Sequence, residues 1–274
     1  MNATVGTVAS MVYRHTLITR LTHWVNAIAM AILLMSGLQI LGAHPALYWG
    51  NAGFEPAHAW LRIDTVGGAP VRGYLTLGST RIETSGFLGV SSSGGQQFSK
   101  AFPGWLTVPS WRDLTLGRRW HFFFAWVLVL NGATYLLAAT LSGHLRRDLV
   151  PRARELGVRH LATELWNHLR LRFPHGEAAL HYNTLQKLTY AGVIFVLGPL
   201  MVLTGLTMSP GINAAAPFLL DVFGGRQSAR SIHFIAANLM VAFFVIHMLA
   251  LLAVGVWNEL RSMITGRYRI TRKV

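Results

Sequence analysis

Between Ser231 and Trp257 the chain runs SIHFIAANLMVAFFVIHMLALLAVGVW, with no charged side chain and two histidines, His233 and His247. About 20 apolar residues cross a bilayer, and a spanning segment must pair its backbone internally, so this stretch is predicted as a transmembrane helix. The histidines are 14 residues apart. At about 100° and 1.5 Å per residue they share nearly one helix face and stand roughly 21 Å apart. Imidazoles inside a span are costly unless each binds something. Each therefore calls for a partner elsewhere in the chain.

Only 12% of the 274 residues are charged and 52% are hydrophobic, against about a quarter charged in soluble domains. The chain reads as an integral membrane protein. It has no cysteine, which excludes disulfides, iron–sulfur ligation, c-type haem attachment and thiolate chemistry. Metal binding must use His, Met or carboxylates. The net charge of +14 is read as membrane topology rather than nucleic-acid binding, because the basic residues cluster in particular loops.

Residues 1–15 carry no evident structural signal. A first span starts at Thr16, a suitable N-cap, and runs to about Leu41 through LTHWVNAIAMAILLMSGLQIL. A signal-peptide core is shorter, about 7–15 residues. Residues 42–118 form an extracytoplasmic insertion rich in Gly, Ser, Pro and Trp, in which Tyr74–Thr84 predicts two strands around a Gly-Ser turn. The second span is Trp120–Leu141. Within the basic segment 143–187, Val158, Leu161, Leu165, Leu169 and Phe173 have helical spacing, with Arg159, Arg170 and Arg172 among them. They suit either a helix on the membrane surface or an ordinary amphipathic loop helix. The third span covers Leu188–Met208, with a kink expected at Gly198-Pro199, and the fourth is the opening stretch.

Fifteen of the 24 Lys and Arg residues lie in the N-terminal segment, the 142–187 loop and the tail from Asn258. The positive-inside rule then puts both termini and the middle loop in the cytoplasm. On that topology His23 and His247 lie towards the cytoplasmic side and His121 and His233 towards the outer side. The expected pairs are His23 with His247 and His121 with His233, as axial ligands of two haems at different depths. A haem with both axial sites filled passes single electrons rather than activating ligands. Gly37, Gly132, Gly192 and Gly205 leave room either for flat macrocycles or for ordinary small-residue helix packing. Arg20 on the inner side and Arg118, Arg119 and Arg230 on the outer side are candidate partners for haem propionates, or interface anchors. His15, His44, His58, His144, His160, His168, His175 and His181 are read as solvated.

RLTHWVNAIAMAILLMSG in the first span, RRWHFFFAW opening the second and H-x13-H in the fourth resemble the four-helix dihaem cytochrome b family. That family includes the cytochrome b subunits of nickel-iron hydrogenase and thiosulfate reductase and the bacterial cytochrome b561 proteins. HPALYWG and GGRQSARSIHF look most like the thiosulfate-reductase branch, which is often associated with periplasmic molybdenum enzymes. The resemblance implies an all-α integral membrane protein, one membrane domain over 1–274. It would be a four-transmembrane-helix bundle binding two b haems, in the bacterial inner membrane. It also implies exchange of electrons with quinone and a periplasmic oxidoreductase partner, without nucleic acid. The long insertion departs from the short loops of cytochrome b561 and favours a docking surface. The alternative is a free-standing cytochrome b561-like quinone–superoxide oxidoreductase; a haem-free transporter or structural anchor, with the histidines as proton relays, is the third reading.

Overall fold

The structure, a computed structural model, describes residues 7–68, 70–93, 96–170, 172 and 180–273. Phe173 and His175 lie outside the described residues. Among the described residues, four helices are long and apolar enough to cross a membrane: α1 (Leu17–Leu41), α2 (Leu114–Leu141), the third span Thr184–Thr207, and α8 (Arg226–Val254). Large apolar side chains such as Phe123, Leu130, Leu137, Ile246 and Leu252 are exposed on these helices. Lipid, not water, suits such faces. Most buried positions on the spans are small, among them Ala29, Ser36, Thr204 and Ala236. Such residues let helix backbones approach closely.

Helix ends are set by caps that lie beyond the apolar runs. Thr16 Oγ1 accepts from the Thr19 amide at the start of α1. Asp113 Oδ1 accepts from the Leu116 amide at 2.8 Å, so α2 begins at Leu114, before the predicted Trp120. An Asn183 cap with a Gln186 capping box starts α4 (Thr184–Gly192), ahead of the predicted Leu188. The third span continues as a π-helix over Val193–Leu197 into α5 (Gly198–Thr207). Pro199 has no amide hydrogen for a carbonyl one turn back, and a widened turn ahead of it relieves the mismatch.

The chain divides into two compact units, each drawing on all four spans. One comprises residues 27–129 and 199–238 and contains the insertion. There β2 (Ala46–Leu47), β3 (Leu61–Val66), β4 (Arg72–Leu77) and β5 (Thr80–Glu83) form an antiparallel sheet in sequence order. The β4–β5 turn is at Gly78, whose φ is +55°, as the Gly-Ser signal predicts. Strands β6 (Val90–Ser93) and β7 (Gln96–Ser99) pair separately. Leu47, Leu61, Ile63 and Phe102 make a small core with Leu41 at the end of α1. Two short helices, α6 (Pro210–Ala215) and α7 (Phe218–Val222), precede α8.

The other unit holds residues 7–26, 130–198 and 239–273. The segment before α1 is not structureless. Strand β1 (Thr7–Tyr13) pairs antiparallel with β8 (Arg267–Lys273). Arg14 joins the two ends, binding Glu259 at 2.9 Å and covering the Tyr268 ring at 4.5 Å. The amphipathic helix in the basic segment is α3 (Val158–Leu169). Its Glu164 accepts from the Leu185 amide at 2.9 Å, occupying an otherwise orphaned donor of α4. A further helix, α9 (Val256–Thr265), follows α8.

His15, read from sequence as solvated, is buried at this seam. Burial, reinforced by the Arg14 charge, lowers its pKa from 6.5 to about 4. The unfolded chain then takes up a proton below about pH 6.5 that the folded chain refuses until about pH 4. Stability should fall as pH drops through that window and stay flat above it. Thermal unfolding in detergent at pH 5 and pH 7.5 checks this: His15→Gln should lose less stability on acidification than wild type. Equal losses would refute the assignment.

Candidate functional site

In the unit that carries the insertion, α2 presents His121 and α8 presents His233. Their ring centroids are 6.3 Å apart, with planes at 62°. Each ring is held from behind by a helix that contributes no histidine of its own to the pair. Ser36 on α1 lies with Oγ 3.1 Å from His121 Nδ1, and Thr204 on α5 lies with Oγ1 3.0 Å from His233 Nδ1. Gly37 and Gly205 follow these hydroxyls. A Cβ at either would stand 3.4 Å from the adjacent imidazole Cε1, at van der Waals contact, so each imidazole packs directly against its glycine. A Cβ at Gly132 or Gly192 would meet nothing within 4 Å.

In the unit that carries both termini, α1 presents His23 and α8 presents His247. Their centroids are 6.5 Å apart, with planes at 51°. Phe243, one turn before His247, stacks on it at 5.9 Å and 22°. Trp24 meets His23 edge-on at 5.4 Å and donates its indole N–H to the Met263 carbonyl at 3.1 Å. Asn131 on α2 donates to the Thr22 carbonyl and to Asn26 Oδ1, at 2.8 and 2.7 Å, fixing α2 to the turn that carries His23.

The separations test what each pair can hold. A metal–imidazole bond of about 2 Å on either side, plus about 1 Å from each nitrogen to its ring centre, puts two trans imidazoles about 6 Å apart between centroids. Both pairs have that spacing. Among the described residues no three His, Asp or Glu side chains converge on a metal site. Two protein ligands per ion leave four coordination positions, which suits a planar tetradentate macrocycle such as a haem.

The four arginines have these surroundings. Arg20 donates to the Ile264 carbonyl near the end of α9. Arg230 donates to the His44 carbonyl. Arg118 lies over the Phe122 ring at 5.6 Å, and with Arg119, Leu114 and Thr115 it lines a shallow cleft of about 260 Å³. Several of the other histidines have fixed partners, as His144 does with Asp148 at 2.7 Å and His160 with Glu164 at 3.2 Å.

Sequence reasoning missed Ser36 and Thr204 as supports of the pair. It also missed that HPALYWG and GGRQSARSIHF interlock. The Gly50 carbonyl accepts from the Gln227 and Ser228 amides at 3.0 and 3.2 Å. Ser228 Oγ accepts from the Gly50 amide at 2.7 Å. Ser231 Oγ donates to the Tyr48 carbonyl at 2.6 Å and accepts from the Trp60 indole at 2.9 Å. The insertion thus caps the N-terminus of the helix that carries His233.

Residues 14–266 match the family model described as prokaryotic cytochrome b561. The chain is also similar to a protein of Azospira oryzae named as a protein-methionine-sulfoxide reductase subunit, YedZ1. The two are 29% identical over 249 residues, which cover 90% of this chain and 93% of that one. No solved structure matches the chain.

Proposed function

Because the chain belongs to the prokaryotic cytochrome b561 family, a family of multi-pass haem b membrane proteins, we propose that it is a dihaem cytochrome b subunit. It would carry electrons between membrane quinone and a periplasmic oxidoreductase, with one haem held by His23 and His247 and the other by His121 and His233. The observation that carries this reading is the two facing histidine pairs, at 6.5 and 6.3 Å, with no third ligand among the described residues. When bound, a six-coordinate b haem supplies a one-electron iron couple and leaves no open position for oxygen or substrate. The chain's own residues bind and orient the group and shield it with apolar helices.

The partner is proposed as an oxidoreductase of the molybdenum type. Support comes from the Azospira oryzae relative, a sulfoxide reductase subunit by name, and from the folded insertion, which suits a docking surface. The basic residues concentrated in the termini and the 142–187 loop support an inner-membrane protein with both termini cytoplasmic. Arg20, Arg230, and Arg118 and Arg119, the last two exposed beside the start of α2, are the proposed propionate partners.

The purified protein should show a b-type reduced-minus-oxidised spectrum, two haems per polypeptide, and reduction by a quinol. A colourless protein would sink the proposal. Superoxide-dependent haem reduction by the subunit alone would favour the free-standing oxidoreductase, whereas reoxidation only by a co-purifying soluble enzyme would favour the subunit role.

A further inference from the structure

The two histidine pairs are not equivalent. Ser36 gives its own hydroxyl hydrogen to the Ile32 carbonyl at 2.6 Å, and Thr204 gives its own to the Leu200 carbonyl at 2.6 Å. With that hydrogen committed one turn back, each hydroxyl oxygen faces the neighbouring histidine as an acceptor. The hydrogen in the 3.1 Å Ser36–His121 contact and the 3.0 Å Thr204–His233 contact therefore sits on Nδ1. That places the bare lone pair of both rings on Nε2, the nitrogen left to coordinate. Both hydroxyls are fully buried, at 0% exposure, so water does not compete for the contacts.

The same device occurs twice, on helices far apart in sequence: a hydroxyl bonded to the carbonyl four residues earlier, followed by a glycine against which an imidazole packs. Among the described residues neither His23 nor His247 has a hydrogen-bond partner, and their ring neighbours are Trp24 and Phe243.

We propose that Ser36 and Thr204 are positioning residues that lock the tautomer of His121 and His233 and make this pair the more electron-donating of the two. A hydrogen bond from the distal N–H raises the basicity of a ligating imidazole. Stronger donation stabilises the ferric over the ferrous state, so the group held by His121 and His233 has its potential lowered by the two contacts. The proposal rests on the dihaem reading.

The test uses the full-length protein with Ser36→Ala, Thr204→Val and Thr204→Ser. Its readouts are haem stoichiometry, an equilibrium redox titration and the low-spin ferric EPR spectrum. In Ser36→Ala and in Thr204→Val the same single midpoint should rise and its EPR signal should shift, while the other haem stays as in wild type. Thr204→Ser, which keeps the hydroxyl, should behave as wild type. Unchanged midpoints in both variants, or an equal shift of both haems, would overturn the proposal. If Thr204→Val drops one haem, the proposal stands only where Thr204→Ser retains both. A wild-type protein without b haem would sink the functional reading itself, whereas unmoved potentials in a two-haem protein would sink this inference alone.

Discussion

Replacing His233 with alanine should yield a protein that retains one b haem in place of two. The truncation removes one of only two protein ligands in that pair, and no other His, Asp or Glu among the described residues converges there to substitute. Its partner His121 would keep its Ser36 contact, but the site would have lost one of the two imidazoles that would hold the group. The second pair lies in the other unit, where His247 keeps its Phe243 stack. Its spectrum should therefore persist with unchanged midpoint. His247→Ala should do the reverse, and the two residual spectra should together reproduce the wild type. Pyridine haemochrome quantitation against protein mass reads the outcome. Two haems remaining in His233→Ala would defeat the ligand assignment, and loss of both would mean that the pairs do not bind independently.

Long apolar runs make the four spans legible, because hydrocarbon solvates apolar side chains and punishes charges. The sequence is less informative about where those helices stop. Asp113 and Asn183 sit outside the apolar runs, yet their side chains satisfy first-turn amides and extend α2 and α4 beyond the predicted starts. The Tyr74–Thr84 hairpin is legible because its turn is local and Gly78 marks it. The pairing of β1 with β8 is not, since Thr7 meets Lys273 and no short-range signal connects segments at opposite ends of a chain. Ser36 and Thr204 are hidden for a different reason. A serine or threonine inside a span ordinarily bonds its own preceding turn, as both do here. Which imidazole turns its edge to the remaining lone pair depends on helix rotation. The glycines beside them, Gly37 and Gly205, attract notice in the sequence as space for a macrocycle, and in the structure a histidine ring packs against each.

The second large effect is expected from Gly225→Ala, a change of one methyl group outside either histidine pair. Gly225 has a φ of +107°, a conformation that costs an L side chain about 1–2 kcal/mol. A Cβ there would stand 2.3 Å from Asn51 Oδ1 and 2.6 Å from the Gly50 carbonyl oxygen. These are the atoms that accept from the first amides of α8: Asn51 Oδ1 from Arg226, and the Gly50 carbonyl from Gln227 and Ser228. Neither contact can stay in place, so the helix loses partners for donors that its own turns cannot satisfy. Each buried donor left unpaired costs about 1–3 kcal/mol. The insertion should come off the end of α8 while the apolar spans stay in place, since the latch lies before the span proper. Phe54, already 82% exposed, sits in the loop that would be freed. Limited chymotrypsin digestion should therefore cut near Phe54 much faster in Gly225→Ala than in wild type. Haem content should stay unchanged, because His233 is held by Thr204 independently of the cap. If the digestion rates match, the insertion is seated by something other than the Gly50–Ser228 interlock. If a haem is lost with the cap, the latch and the His233 ring form one mechanical unit.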